Sequence, residues 1–579
     1  MLKMKDSNKN LIISFAMSAL GTAFLIYYIF RASMDVVASD YIRIINFYLE
    51  DVTDLHYLLS WEGISRIPFT FLARFINVKF FNYSVFFDKI LGTFGLFLFN
   101  TVVLSFALGN IKSKIMQIIS SILITYISFS LMAWEMILNG TGYAHFITVG
   151  LIALTFRMFS NRWAKLLEQD ENESTTCYSK LNKTIVLCVL IPFTTIFFAG
   201  SYAVSYNCTI IFSTILLLIY GINSGKIKER YTIIETVDKP FSKEDFAQSK
   251  FYGNGKYKIF GIKRKSIIKW YPQILFMIIP VICLYLYFKS NSTGEALIPV
   301  GFKDITIVEL LKTEPLFPIK FLLKSLASSI IGVETFDYAI NFKTITEKII
   351  FFVGFLYLIV IIYAIIILIY KIIKIIHNAH DNAVGDGGNE VIGAKCYETS
   401  DLSFLIFVCM FFVYGIANYL LIFLARYRFV VDSYGMTSRY SLQYMFLTIG
   451  IVMLFAKLLD DYVCNNNTSQ SDDASAKHSE LSIVIDNNKK IKKIFLIITT
   501  ILSLFFITLG HLTTNTDEIF KADYRKIIYS VVEDKAKNYK NLTDEDLETS
   551  FEFHRGPDQI RKAFNTLETK HLNIFRDKK

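Results

Sequence analysis

Long apolar runs with few charges alternate with polar segments along most of the chain. Runs of about 20 residues are what an α-helix needs to cross a hydrocarbon core. The pattern predicts eleven such spans, at about Leu11–Phe30, Leu91–Gly109, Met116–Ala133, Ala144–Phe159, Thr184–Ala203, Cys208–Ile222, Trp270–Phe288, Ile349–Tyr370, Ser403–Ala425, Leu442–Leu459 and Ile494–Leu512. The fourth is the weakest, with Arg157 near its end in a position to snorkel. Pro272 and Pro280 predict a kink in the seventh. The stretch PLFPIKFLLKSLASSIIG is interrupted by Lys320 and Lys324 and reads as an interfacial amphipathic helix rather than a span. The fold class expected is therefore an all-α polytopic membrane protein with interfacial helices in its long outer loops.

Charge orients these spans. Lys3, Lys5 and Lys9 precede the first, Lys263, Arg264, Lys265 and Lys269 the seventh, and Lys489, Lys490, Lys492 and Lys493 the eleventh. Basic residues at this density beside a span mark the cytoplasmic side. The N-terminus is then inside, and an odd number of crossings leaves the C-terminus outside. The first apolar run lacks a small-residue cleavage site and reads as a retained helix. Residues 1–160 form an N-terminal membrane module with the first outer loop (31–90). Residues 161–512 are the remaining bundle, with outer loops 289–348 and 426–441, and residues 513–579 are an extracytoplasmic tail with a small helical appendage. Trp61 and Trp134 fall at the outer face and Trp163 and Trp270 at the inner, as an aromatic belt would.

Composition supports the class and removes some functions. Hydrophobic residues make up 53% of the chain, above the roughly 45–50% of soluble proteins. The net charge of +10 would suit nucleic acid, but much of the excess lies beside spans, where it sets topology; no nucleic-acid partner is expected. The seven cysteines fall in spans or in loops placed inside, so no disulfide framework is expected. The chain has no CxxC, HExxH or GxxxxGK[ST], which leaves common zinc sites and a P-loop motor unsupported. No metal ligands and no cofactor are assigned, a divalent cation being left open, and nothing sets the oligomeric state.

Four constellations carry candidate chemistry. The first loop is rich in acids, and Asp35 and Asp40 follow the first span closely. An acid at such an exit can act as a general base from a partly desolvated site, or simply be a solvated loop acid near Arg43. In WEGISRIP of the same loop, Glu62 and Arg66 are four apart and would share a helical face as a surface ion pair. Alternatively, Arg66 could hold a phosphate through its planar fork. In AWEMILNGTGYAHF, Glu135, Tyr143 and His145 could line a sugar pocket, against the plainer reading of an interfacial anchor and glycine turn. After the ninth span, Arg426, Arg428 and Arg439 lie outside with Tyr440. There they could stabilise a phosphate leaving group or contact anionic headgroups.

The order of these landmarks resembles bacterial multi-pass glycosyltransferases of the GT-C class, including serotype-converting glucosyltransferase-like and surface-polysaccharide or teichoic-acid-modifying members. The elements that carry the resemblance are ASDYIRI beyond the first span, SWEGISRIP in the same loop, WEMILNGTGYAHF after the third, and Ser438, Arg439 and Tyr440 running into a late span. It covers roughly the first 160 residues and the 425–460 region. The resemblance implies inverting transfer of a sugar from a polyprenyl-phosphate donor to a surface glycan or lipid acceptor, on the outer face of a bacterial cytoplasmic membrane and in contact with its lipids. By position Asp40 would be the base, with Asp35 as competitor. Arg439, with Arg66 and Arg428, would hold the lipid phosphate. The chain departs from the pattern in lacking a paired acid directly after the first span, where Asp35 and Asp40 stand apart; Glu50 and Asp51 are adjacent but lie further on. A lipid-linked oligosaccharide flippase or transporter, or a polysaccharide polymerase, is the alternative.

Overall fold

A computed structural model describes residues 2–49, 52, 61–62, 65–66, 68–168, 177–223, 264–291, 303–337, 343–384, 399–469, 480–553 and 556–577. In chain order the helices are α1 (Leu2–Ala32), α2 (Asp40–Tyr48), α3 (Pro68–Phe81), α4 (Val85–Asn110), α5 (Lys114–Ser128), α6 (Trp134–Leu138), α7 (Tyr143–Glu168), α8 (Cys177–Thr194), α9 (Ala203–Asn223), α10 (Arg264–Asn291), α11 (Ile307–Thr313), α12 (Phe317–Ala327), α13 (Val333–Asp337), α14 (Lys343–Val384), α15 (Thr399–Arg426), α16 (Ser441–Ser469), α17 (Glu480–Lys537), α18 (Asp544–Ser550) and α19 (Pro557–Thr569). The chain is thus a helical, multi-pass membrane protein. Among the described residues ten helical segments are long and apolar enough to cross a membrane. The fifth expected span, Thr184–Ala203, coincides with a shorter apolar helix, Lys183–Ala199, whose last turn widens into a π-helix at Thr195–Ala199 before Gly200.

Helix α4 lies at the centre, between α1 and α7. It approaches α7 closely because both carry glycine at the crossing: a Cβ on Gly150 would sit 2.8 Å from the Gly95 carbonyl oxygen, and one on Gly95 would strike the backbone at Phe146 and Ile147. Small residues allow such contact where apolar burial cannot distinguish helix from lipid. Further into the bundle, aromatic rings join four helices. Phe446 of α16 packs 5.2 Å from Phe99 (α4), 5.0 Å from Phe411 and 4.5 Å from Tyr414 (α15), and Phe156 (α7) meets Tyr414 at 5.7 Å.

At one end of the bundle, called here the far end, Lys457 is buried among carboxylates. It lies 3.3 Å from Asp401 and 3.2 Å from Asp461, and donates to the Asn110 carbonyl. Asp460, 1% exposed, accepts the backbone N–H groups of Lys112 and Ser113 at the entry to α5. The opposite end, the loop end, carries α2, α3, α6, α11–α13, α18 and α19. There a second apolar core forms. It is made of Val36, Val37, Ile42, Ile45 and Leu49 of the first loop with Phe551, Ile560, Phe564, Leu567 and Phe575 of the C-terminal segment.

Several expectations are corrected. The last helix does not stop at Leu512: α17 continues unbroken to Lys537, and the small helices expected in the tail, α18 and α19, pack with the first loop. The second long span starts at Val85 rather than near Leu91, taking Asp88 and Lys89 into its first turn as buried residues. Glu62 and Arg66 do not share a helical face. Trp61–Glu62 (β1) and Ser65–Arg66 (β2) form a two-residue antiparallel ladder pairing Trp61 with Arg66 and Glu62 with Ser65. Arg157 does not snorkel: α7 runs eleven residues past it, and its guanidinium turns into α4 to donate to the Val102 carbonyl at 3.2 Å and to Ser105. Trp163 is fully buried and Trp134 faces protein, so neither belongs to a lipid belt. The Trp61 and Trp270 side chains, the Gly-rich NAVGDGGNE stretch beyond Val384, and Glu50, Asp51, His554 and Arg555 lie outside the described residues.

Two stability tests follow from this architecture. Phe564→Ala should remove about 3–5 kcal/mol from the second core, the usual loss for a buried aromatic. Amide exchange should then accelerate together in residues 36–49 and 539–575, while α15 and α16 keep their protection. Lys457→Met should leave Asp460 and Asp461 short of their cation, a loss of about 3–5 kcal/mol for a broken buried pair. The melting temperature in detergent should fall further than for Lys371→Met, which removes only the 2.7 Å bond to Asp461.

Candidate functional site

The site is built around one turn. Helix α5 stops at Ser128, and the chain crosses Phe129–Ala133 to α6, then passes through a 3-10 turn at Gly140–Gly142 into α7. Irregular backbone at membrane depth needs polar partners from its surroundings. Asn515 of α17 supplies them, accepting from Leu131 N–H at 2.7 Å and from Ser130 Oγ at 3.0 Å. Asn139 caps the 3-10 turn, its Oδ1 accepting from Thr141 N–H at 3.1 Å.

Three of the sequence-read constellations meet on this turn. Glu135 accepts from Ser438 Oγ at 3.0 Å and pairs with the Arg439 guanidinium, so the segment after α15 is tied to the segment after α5. Both partners remain partly exposed, Arg439 at 47% and Glu135 at 31% of their side chains. His145 packs 5.3 Å from Tyr202 with the rings tilted, and the carboxylate of Asp40 lies near enough to act on it electrostatically. Asp40 itself is the first residue of α2 and is exposed. The ladder carrying Glu62 and Arg66 rests on the π-helical turn and on Gly200–Tyr202, which places its backbone beside the same His145–Tyr202 pair.

Other predicted residues have different surroundings. Asp35 is an anchor for α4: it accepts Val85 N–H at 2.6 Å and Ser84 Oγ at 3.0 Å, with Arg576 at 3.6 Å. Tyr143 is buried beneath the turn at 3% exposure. Arg426 donates from Nε to Tyr440 Oη at 2.6 Å, and its guanidinium lies 5.5–5.8 Å from the rings of Phe429, Tyr434 and Tyr440. Arg428 bonds Tyr427 Oη at 3.3 Å, and its carbonyl accepts from Lys303 N–H. Asp432 of the same loop binds Lys324 of α12 at 2.7 Å. Among the described residues no three His, Cys, Asp or Glu side chains gather as a metal site.

Two polar clusters beside the turn were not anticipated. In the first, Asp88 is fully buried and accepts from Tyr41 Oη at 2.9 Å and Asn77 Nδ2 at 3.2 Å, with the charge of Arg74 close by. Burial and the Asp88 carboxylate raise the Tyr41 phenol well above its ordinary value, so Tyr41 stays a donor. Its hydroxyl lies directly against Gly140, where any Cβ would collide with it. In the second, Arg525 binds Glu518 at 2.8 Å and pairs with Glu334. Its guanidinium stacks 3.3 Å from the ring centre of Trp134, and Tyr28 Oη donates to Glu518 at 3.2 Å. Both clusters had a readable signal. Asp88 and Lys89 are charges inside the first turn of a span, which is expensive unless they face partners. Asp517, Glu518, Lys521 and Arg525 share one face of α17, the spacing of a polar stripe on an amphipathic helix.

Comparison with known protein families, with curated proteins and with solved structures finds no match to this chain.

The contact between Gly140 and Tyr41 can be measured. Gly140→Ala should destabilise the protein by about 1–3 kcal/mol, as overpacking does. Adding Tyr41→Phe should recover part of that loss, giving a non-additive double-mutant cycle in thermal unfolding; strict additivity would place the strain elsewhere.

Proposed function

We propose that this chain is a membrane glycosyltransferase of GT-C type. It would transfer a sugar from a polyprenyl-phosphate donor to a surface glycan or lipid acceptor, at the outer face of a bacterial cytoplasmic membrane. The observation that supports it best is the convergence of Asp40, Glu135, His145 and Arg439 along the single turn 134–145, from segments some 300 residues apart in the case of Glu135 and Arg439. An exposed carboxylate and a half-exposed arginine then stand at one end of the bundle, with an aromatic floor between them.

The chemistry assigned to these groups is balanced. The acceptor hydroxyl attacks the anomeric carbon while Asp40 takes its proton. The bond from that carbon to the phosphate oxygen breaks, and the bonding pair leaves with the lipid phosphate. Arg439, oriented by Glu135, faces the charge that develops there, which is where fixed donors lower a barrier most. Arg428 and Arg66 are candidates for the remaining phosphate oxygens. His145, between Asp40 and Tyr202, would bound the acceptor side. Asp35 is assigned no chemical step, because its oxygens hold the start of α4.

The test is transfer of labelled sugar from a polyprenyl-phosphate donor by the purified protein in bilayers. Asp40→Asn should lower turnover by at least about 100-fold, as loss of a general base does, with folding unchanged. Asp35→Asn should lower stability instead. Arg439→Lys, which keeps the charge but not the fork, should weaken donor binding. Full activity in Asp40→Asn would reject the assigned base. Absence of transfer from any polyprenyl-phosphate sugar, with efflux of a lipid-linked oligosaccharide across vesicles, would favour the transport alternative.

A further inference from the structure

Beneath the turn, between α5, α16 and α17, is a cavity of about 20 Å³ lined by Ser128, Ser130, Ala133, Ile137, Ser441 and His511 among others. That is room for about one water molecule. Its polar lining is defined by a chain of hydrogen bonds whose directions can be read without ambiguity. Leu131 N–H donates to Asn515 Oδ1, so that atom is the carbonyl oxygen and not the amide nitrogen, which cannot accept. Ser130 Oγ donates its only proton to the same oxygen. Ser130 Oγ is 2.9 Å from His511 Nδ1, and with its own proton committed it can only accept. The proton in that bond therefore sits on Nδ1, and in a neutral imidazole Nε2 is then a bare acceptor.

Nε2 of His511 is buried with no hydrogen-bond partner, and the same holds for Ser128 Oγ. His511 is 4% exposed and Ser128 2%. The other hydroxyls of the lining are satisfied: Ser441 donates to the Met132 carbonyl and Ser329 to the Ser325 carbonyl. A buried acceptor and a buried hydroxyl left unmatched would each be unfavourable by about 1–3 kcal/mol.

We infer that this cavity is a built binding site for a single water molecule, which donates to His511 Nε2 and accepts from Ser128 Oγ–H. Water is the guest that carries both functions in that volume. The site lies below α6, with Ala133 and Ile137 on one side and Ser441 on the other. It adds one exchangeable hydrogen-bonding group to the serines and His511 under the turn that holds Glu135. The inference does not depend on the proposed reaction.

Solid-state NMR of the protein with ¹⁵N-labelled histidine in bilayers tests it, with His511 assigned by the signal lost in His511→Gln. The expected result is a proton on Nδ1, none on Nε2, and magnetisation transfer from water onto Nε2. Ser128→Ala should keep the tautomer and lose the water transfer. A proton bonded to Nε2, or water transfer unaffected by Ser128→Ala, would overturn the assignment. Should His511→Gln fail to fold, xenon pressurisation of the unchanged protein decides: dry apolar cavities take up xenon, so uptake at this position would also overturn it, and exclusion is expected.

Discussion

A guanidinium removed from water must carry its counterions with it, and Arg525 meets that requirement with Glu518 and Glu334 while lying flat on Trp134. Removing one member of such a group leaves an uncompensated buried charge, which is far worse than never having had the pair. The geometry is consequently all or nothing. It joins α17 to α13 through Glu334, to α1 through Tyr28, and to α6 through the indole. Glu135 is the next residue after that indole. The position of the carboxylate that orients Arg439 is thus referred through one stacked cation to the longest helix in the molecule, 58 residues, a stiff element of about 87 Å at helical rise.

The turn also illustrates how a membrane protein can interrupt a helix. At Ser128–Leu131 the α-helical ladder is lost, and each group it would have satisfied must find another partner. Asn515 serves one of them, the Leu131 N–H, and takes the Ser130 hydroxyl as well. Gly140 removes a side chain so that the Tyr41 hydroxyl can reach Asp88. The turn is therefore held from below by α17 and from above by α2. The first support is a side-chain hydrogen bond to a residue 384 positions away; the second is the Tyr41 hydroxyl seated against Gly140 while it bonds Asp88.

Much of the bundle could be read from periodicity alone. Runs such as Ile349–Tyr370 and Ser403–Ala425 are apolar long enough that no other element fits them, and the short helix carrying Lys320 and Lys324 was set apart from the spans by its charges. The pieces of the site were legible as pieces: Glu135 by its setting in a glycine turn, Arg439 by a basic cluster against the topological trend. Their pairing was not, because no local pattern encodes a contact across three hundred positions. The division between Asp35 and Asp40 was equally hidden. Both are acids beyond a span, and only the direction of the Val85 N–H group shows that one is occupied with a helix terminus. The misjudged tail has a different cause. Asp517, Glu518, Lys521, Asp523, Arg525 and Lys526 lower the hydropathy enough to end a span, yet on a helix they occupy faces turned to Arg31, Trp134 and Glu334. A count of charges per window cannot see that they are already paired.

Tyr83, Asn82, Ser39, His571 and Asn573 all adopt positive φ. They meet where the C-terminal segment joins the first loop, with Asn573 N–H bonded to the Asn82 carbonyl at 2.7 Å and Ser39 N–H to the Phe551 carbonyl at 2.8 Å. Each such conformation carries strain of about 1–3 kcal/mol that persists only when its surroundings enforce it. Those surroundings come from opposite ends of the chain: Asn573 and Asp35 are 538 positions apart. On the ribosome, where earlier segments emerge first, the loop with Asp40 has to wait until residues 551–575 are made before its own core can close. Residues 551–575 complete the architecture of a loop made some 500 positions earlier.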